Sequence, residues 1–227
     1  MDFSEGGMTI LALDIGGSHV KFRTQRQRTV IKLKSGRHLT PALMMKEIRA
    51  VAADWDYDRV SIGYPGPVVH NRPLREPANL GKGWLKFNFQ RAFAGKPVRI
   101  INDAAMQALG SYEGKRMLFL GLGTGLGSAM IADGAVEAME LAHLPWKKGK
   151  TYEDFLGAAA LKEAGKKRWS KTVLEAVADL QAAMEADYVV LGGGNAKLIG
   201  KLPSGIKLGS NANAFKGGFR LWKHDAT

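Results

Sequence analysis

Gly121-Leu122-Gly123-Thr124-Gly125-Leu126-Gly127 lies between two apolar runs, Met117–Leu122 and Ser128–Ala132. Four glycines alternating around one threonine exceed what a hairpin turn requires, which is one or two. Glycines after a strand let backbone N–H groups converge on an anion with no Cβ in the way. The spacing does not give the GxGxxG of a dinucleotide-binding unit, and a strand rather than a helix is expected to follow. The stretch therefore predicts strand, phosphate-binding turn, strand, with Gly123, Thr124 and Gly125 at the turn.

The same pattern opens the chain. Ile10 to Asp14 is a short apolar run ending in a carboxylate, followed by Gly16-Gly17-Ser18. Val20 to Arg23 and Arg28 to Leu33 then carry alternating or β-branched residues, so an antiparallel meander is expected. Gly16, Gly17 and Ser18 form a second candidate phosphate turn. Asp14 could orient a hydrated Mg²⁺, since that ion keeps several waters and needs few carboxylates. Taken alone, this turn could equally be a plain Gly-Gly hairpin. The repeat predicts two lobes of related topology, residues 1–101 and 102–227, hinged near 102, with a C-terminal helix that packs back on the first.

Between and after these turns the signals alternate. Thr40-Pro41 marks a helix start, and helical spacing of apolar residues runs to about Ala53. Val60–Tyr64 and Val98–Ile101 read as strands, and Ala104–Leu109 as a helix. Helices are expected at about Tyr152–Ala164 and Ser170–Ala186, then a strand at Tyr188–Leu191. Leu191-Gly192-Gly193-Gly194-Asn195 ends that strand, with a helix expected from Asn195 whose N-terminus would favour an anion. Asn102-Asp103 sits at a strand-to-helix junction. Asp103 could serve as a helix cap, but beside two phosphate turns a carboxylate there is placed to accept a hydroxyl proton. Glu140 and His143, three residues apart, can present both polar ends to one ligand.

Composition narrows the classes. The 227 residues are enough for one large domain or two small lobes. Having no cysteine excludes disulfides, thiolate metal sites and a cysteine nucleophile. No apolar run is long enough to span a bilayer, and the first nine residues lack signal-peptide character, so a cytoplasmic protein with no membrane partner is expected. Lys and Arg number 33 against 21 Asp and Glu, a formal charge of +12 that favours an anionic partner. Basic residues gather at Lys147, Lys148 and Lys150, and again at Lys162, Lys166, Lys167 and Arg168.

In chain order the motifs are DIGGS, a PGPV turn at Pro65–Val68, PAN at Pro77–Asn79, IND at Ile101–Asp103, GLGTGLGSA, ELAH and LGGGN. This set resembles the ROK sugar kinases over nearly the whole chain. EPANLGKGW (76–84) and NANAFKGGFRLW (211–222) are similar to the polyphosphate glucokinase branch. The resemblance implies an α/β chain with the two-lobed actin-like ATPase (ribonuclease H-like) fold. It implies a kinase that transfers a phosphoryl group from polyphosphate, ATP or both to the 6-hydroxyl of glucose or mannose. Asp103 would be the general base, and Asn79, Asn102, Glu140 and His143 would contact the sugar. Gly16, Gly17, Ser18, Gly123, Thr124 and Gly125 would hold donor phosphates, Gly193 and Gly194 would lie by an adenosine, and Asp14 would act near Mg²⁺.

The sequence departs from the family in two places. Members of the family carry a cysteine-rich zinc loop after the ELGH motif; here LPWKKGK (144–150) stands there, so no zinc is expected. Glu153 is then the candidate for the sugar-contacting Glu that follows that loop. Ala142 replaces the usual Gly and could narrow the pocket. The family's repressors carry an N-terminal helix-turn-helix, and only nine residues precede Ile10, which argues against that reading. A homodimer is compatible with the resemblance. A non-catalytic sugar sensor and a basic nucleic-acid binder remain as alternatives; the second has no recognised nucleic-acid-binding motif.

Overall fold

A computed structural model describes residues 8–223. The chain divides into two compact units: one runs up to Met106 and takes in the segment from Gly218 onward, and the other is Gln107–Gly217. The division thus falls after Met106 rather than at the expected 101/102.

In the first unit, β1 (Ile10–Ile15), β2 (His19–Thr24) and β3 (Ile31–Lys34) form the antiparallel meander. The third strand starts later than its sequence pattern indicates, because Gln25–Val30 are used as the connection. Helix α1 (Pro41–Ala52) begins where Thr40 Oγ1 accepts the Leu43 N–H at 3.3 Å. β4 (Arg59–Tyr64) pairs parallel with β1. A small hairpin, β5 (Val68–Val69) with β6 (Arg72–Pro73), and the short α2 (Phe89–Ala92) lead to β7 (Val98–Asn102), which pairs parallel with β4. The sheet order is β3-β2-β1-β4-β7. One face packs Leu11, Leu13, Ile15, Val20, Phe22 and Ile62 into a core with α1. On β2 the buried Val20 and Phe22 alternate with the solvent-reaching His19, Lys21 and Arg23, which is the period-two signature of a strand with one buried face.

Helix α3 (Asp103–Ser111) starts in the first unit and ends in the second. The second unit continues with β8 (Met117–Leu122), β9 (Leu126–Ala132) and β10 (Ala135–Met139), then α4 (Tyr152–Leu156), α5 (Ala158–Ala183), β11 (Tyr188–Gly192), β12 (Ile206–Leu208) and α6 (Asn213–Arg220). Its sheet order, β10-β9-β8-β11-β12, reproduces that of the first unit: three antiparallel strands, then two added in parallel. β10 is absent from the sequence reading, although Asp133-Gly134, both at positive φ, forms the Asp-Gly hairpin turn that announces it. Gly165, at φ 73° and ψ 158°, breaks α5 into two segments, so the gap expected between helices is a kink. No helix of any length starts at Asn195; the chain makes a 3-10 turn, Ala196–Leu198.

Within the second unit α3 and α6 cross with no space for a side chain. A Cβ on Gly110 would lie 1.8 Å from the Asn213 carbonyl oxygen and 2.7 Å from the Gly217 nitrogen. Asn213 Nδ2 donates to Ser111 Oγ at 2.8 Å in the same contact. Among the described residues no helix is long and apolar enough to cross a membrane.

Candidate active site

The first unit gathers its polar residues at the carboxyl ends of three parallel neighbours, β1, β4 and β7. Asp14 on β1 stands opposite Gly63 on β4 in the parallel register. Gly63 in turn lies under the start of α3, where a Cβ would come within 3.4 Å of Asp103 Cα and 2.5 Å of Met106 Cε. A side chain at position 63 would have to displace the end of the Met106 side chain, while the start of α3 at Asp103 lies at ordinary contact distance. Asp14 and Asp103 thus flank one glycine.

Asp14 is buried, and desolvation pushes its carboxyl above the usual range while the Lys21 ammonium, 3.6 Å away, pulls it down. A hydrated Mg²⁺ fits one such carboxylate, because that ion recruits few protein ligands beside its waters and the donor phosphates. Lys21, opposite Asp14 on β2, is a phosphate-facing candidate that the motif reading does not single out. Its signal is the period-two spacing of His19, Lys21 and Arg23.

The Asn102-Asp103 junction separates capping from chemistry. Asn102 Oδ1 accepts the Ala105 N–H at 3.0 Å and so caps α3, while its Nδ2 donates to Gly66 O at 3.1 Å. Asp103 is the first helical residue, and its Oδ1 accepts from the adjacent Ala104 N–H at 2.9 Å. Helix capping therefore accounts for Asn102 and not for Asp103. One amide hydrogen of Asn102 is left for the expected sugar contact. Asn79 is exposed and lies beside the Gly16–Ser18 turn: a Cβ on Gly17 would touch its Cβ at 3.4 Å. Glu76 organises that loop by accepting the N–H groups of Gly83, Trp84 and Leu85 at 3.1–3.4 Å, a role its sequence position does not announce. The buried Trp84 closes the loop through Nε1–H to Gly81 O at 2.8 Å.

In the second unit two glycine motifs that are remote in sequence form one structure. Gly193, at φ 82°, would drive a Cβ into the Leu122 backbone at 2.4 Å. Asn195 fastens the contact, its N–H donating to Leu122 O at 3.0 Å and its Nδ2 to Gly123 O at 3.2 Å. Gly194 has open space around it, and Thr124 is exposed with its carbonyl, not its hydroxyl, holding the Ala158 N–H at 3.1 Å. Because only a 3-10 turn follows, the helix N-terminus expected to attract an anion at Asn195 is missing; backbone N–H groups of the turns are what remains for that purpose.

Glu140 and His143 bracket a 3-10 turn and approach each other to 3.6 Å, both exposed. Ser128 pins this turn, donating to Met139 O at 2.8 Å and accepting the Leu141 N–H at 3.2 Å. Glu153 has a partner other than the one the resemblance implies. Its Oε2 accepts the Leu126 N–H at 3.1 Å and fills the space where a Cβ on Gly125 would stand, 2.0 Å away. The carboxylate supports the Gly123–Gly125 turn.

Where the family carries its zinc loop, residues 144–150 are held by aromatic stacking. Trp146 stacks on Tyr152 at 4.9 Å and meets Phe155 edge-on at 5.2 Å, while its Nε1–H donates to Asp179 at 3.0 Å. Among the described residues no three His, Cys, Asp or Glu side chains are grouped to hold a metal.

Two units of one strand order, each with a glycine turn after its first strand, define the actin-like ATPase class of phosphotransferase fold. Solved structures agree: the inorganic polyphosphate/ATP-glucomannokinase of Arthrobacter sp. strain KM superposes with a TM-score of 0.79 at 22% identity, over 96% of this chain and 100% of that one. The ROK family glucokinase of Streptomyces griseus, solved with glucose and AMPPNP, gives 0.70 at 17% identity, over 94% and 98%. In sequence the chain is 29% identical to the polyphosphate glucokinase of Mycobacterium tuberculosis over 204 residues, 80% of this chain and 76% of that one. It is 30% identical to the Mycobacterium leprae polyphosphate glucokinase over 206 residues, 80% and 62% respectively. No protein-family model matches the sequence. The chain is a sugar-kinase homologue, related in sequence to the polyphosphate glucokinases and sharing the fold of the ROK kinases.

Proposed function

We propose that the protein phosphorylates the 6-hydroxyl of glucose or mannose, using polyphosphate, ATP or both. The observation that carries this reading is the Asn102-Asp103 junction, where the cap is made by Asn102 and the following carboxylate stands one glycine away from Asp14 and the Gly16–Ser18 turn. Asn79, Asn102, Glu140 and His143 are assigned to the sugar. Gly16, Gly17, Ser18, Gly123, Thr124 and Gly125 are assigned to donor phosphates, with Gly193 and Gly194 beside the adenosine when the donor is ATP.

The chemistry asked of these residues is positioning and charge neutralisation. The sugar O6 forms a bond to the terminal phosphorus as the bond from that phosphorus to the donor oxygen breaks. Asp103 takes the O6 proton, and the leaving phosphate keeps the electron pair. Backbone N–H groups of the glycine turns face the charge that develops. Mg²⁺, when bound through water near Asp14, would neutralise part of the donor's charge.

The direct test is purified protein with glucose or mannose and with ATP or polyphosphate, followed by sugar 6-phosphate formation. No product with any of the four combinations would reject the reading in favour of a sugar sensor. Thr124→Val provides a finer test. The turn is held by the Thr124 carbonyl, so the fold should be kept, donor KM should rise about tenfold for the missing phosphate hydrogen bond, and the sugar dissociation constant measured by calorimetry should hardly change. Equal weakening of both affinities would place Thr124 in the scaffold instead.

A further inference from the structure

The β2–β3 hairpin has two unlike faces. Val20, Phe22, Ile31 and Leu33 point into the core. On the other face the register sets His19 opposite Lys34 and Lys21 opposite Lys32, with Arg23 next along β2. Residues directly opposite in an antiparallel pair share a face, so five basic side chains lie on one two-stranded ribbon. Across β1, β2 and β3 that face carries one carboxylate, Asp14, which pairs with Lys21. His19, Lys32 and Lys34 are exposed and, among the described residues, take part in no ion pair.

Like charges placed directly opposite each other oppose pairing, by about 0.2–1 kcal/mol per pair. Protection of a sheet edge by lysine would explain Lys32 and Lys34, because β3 is an edge strand. Lys21 and Arg23 stand on the interior strand, where the Lys21 ammonium meets Asp14 at 3.6 Å and the Arg23 guanidinium lies over the Phe219 ring at 5.6 Å. An anionic occupant would be met by His19, Lys21, Lys32 and Lys34 together, which the register sets side by side next to the first glycine turn.

The strip also has a starting point. The end of β3 is tied to the first glycine turn: the Ser35 N–H donates to Ser18 O at 3.0 Å, and Ser35 Oγ donates to Gly16 O at 2.6 Å. With about 3.4 Å per strand residue, His19 to Lys21 extends the cationic row by about 7 Å from that turn, with Lys34 and Lys32 alongside it. We propose that this face of the hairpin is the track for the trailing chain of an inorganic polyphosphate whose terminal phosphate sits at Gly16–Ser18. The proposal rests on the kinase reading above and names the surface that distinguishes a chain donor from a nucleotide. The basic residues of the second unit fit the role less well. Lys147 is paired with Glu175 and lies over the Trp146 ring, and the Lys166–Arg168 group lies beyond the kink at Gly165, eight residues along α5 from the Ala158 N–H that meets the Thr124 turn.

The test is Lys32→Glu combined with Lys34→Glu. Both side chains are exposed, so the thermal midpoint should not move. Direct binding of long-chain polyphosphate should weaken by about tenfold or more, and the slope of log affinity against log salt should fall by about 0.7 for each phosphate charge that is no longer neutralised. ATP-dependent turnover should stay within about twofold, since neither lysine is among the groups assigned to ATP. Polyphosphate binding that is unchanged in this variant, or abolished in Lys166→Glu with Lys167→Glu instead, overturns the track. So does a wild-type protein that phosphorylates sugar with ATP but does not bind polyphosphate. If a single-stranded DNA oligomer binds more tightly than polyphosphate and is released by the same variant, the face is a nucleic-acid surface and the proposal is wrong. If neither donor supports turnover while polyphosphate binding is still weakened in the variant, the track stands and the kinase reading fails.

Discussion

Asp103→Asn should lower kcat by ~10²–10⁴-fold, the usual contribution of general-base catalysis, while leaving the fold and sugar affinity nearly unchanged. The substitution preserves size and keeps an Oδ1 for the Ala104 N–H, and the cap on α3 belongs to Asn102. Turnover should fall alike with ATP and with polyphosphate, because the proton comes from the sugar and not from the donor. Sugar dissociation constants, read by calorimetry, should stay within about twofold, since the missing group acts in the transition state. A variant that keeps the wild-type kcat would show that Asp103 is not the base.

Gly110→Ala should be the most damaging single methyl group in the second unit. Alanine is worth about 1 kcal/mol over glycine inside a helix. Against that stands a Cβ 1.8 Å from the Asn213 carbonyl oxygen, a backbone atom that cannot rotate away. Overpacking of this kind costs about 3 kcal/mol or more, so the clash wins by about 2 kcal/mol. For a chain of this length that corresponds to a thermal midpoint lower by roughly 4–8 °C. Gly200→Ala, with open space around it, provides the control and should change the midpoint little. A Gly110→Ala protein as stable as the wild type would mean that α3 and α6 can separate at no cost.

Much of the fold can be read from the sequence because its signals are local. Thr40-Pro41, the Gly16-Gly17 turn and the alternating glycines 121–127 each fix a short piece of backbone by their own chemistry. The repeat of strand, glycine turn, strand then extends to the full order of both sheets. The misses are of another kind. The C-terminal helix is expected, but the reason for its Gly218, whose Cβ would meet Ala12 and Ser61 at 2.9 and 3.3 Å, is visible only in the folded chain. The helix expected at Asn195 fails because Asn195 is used to tie two turns together, a contact across 72 positions. At the candidate site the motif residues are legible as types, but their partners are not. The resemblance makes Glu153 a candidate sugar ligand, and in the structure its carboxylate accepts the Leu126 N–H. Glu76, which holds a loop through three N–H groups, has no motif of its own. The cationic face of β2 and β3 needs the register, because composition counts charges without saying which of them share a surface.

The first unit is sewn shut by residues made after the second unit. Ser61, buried on β4, donates its hydroxyl to Gly218 O at 2.6 Å and accepts the Trp222 Nε1–H at 2.8 Å. The Trp222 ring lies against the guanidinium groups of Arg59 and Arg99, at 4.7 and 4.4 Å, and Arg99 also holds Leu221 O at 2.6 Å. On the ribosome the strands of this unit emerge well before those partners exist. Until the segment from Gly218 is released, a buried hydroxyl and two guanidinium groups lack their mates, and the N-terminal sheet waits half-finished while the second unit is translated. Vectorial synthesis can therefore complete Gln107–Gly217 as a contiguous piece before it completes the unit to which Gly218 and the residues after it belong.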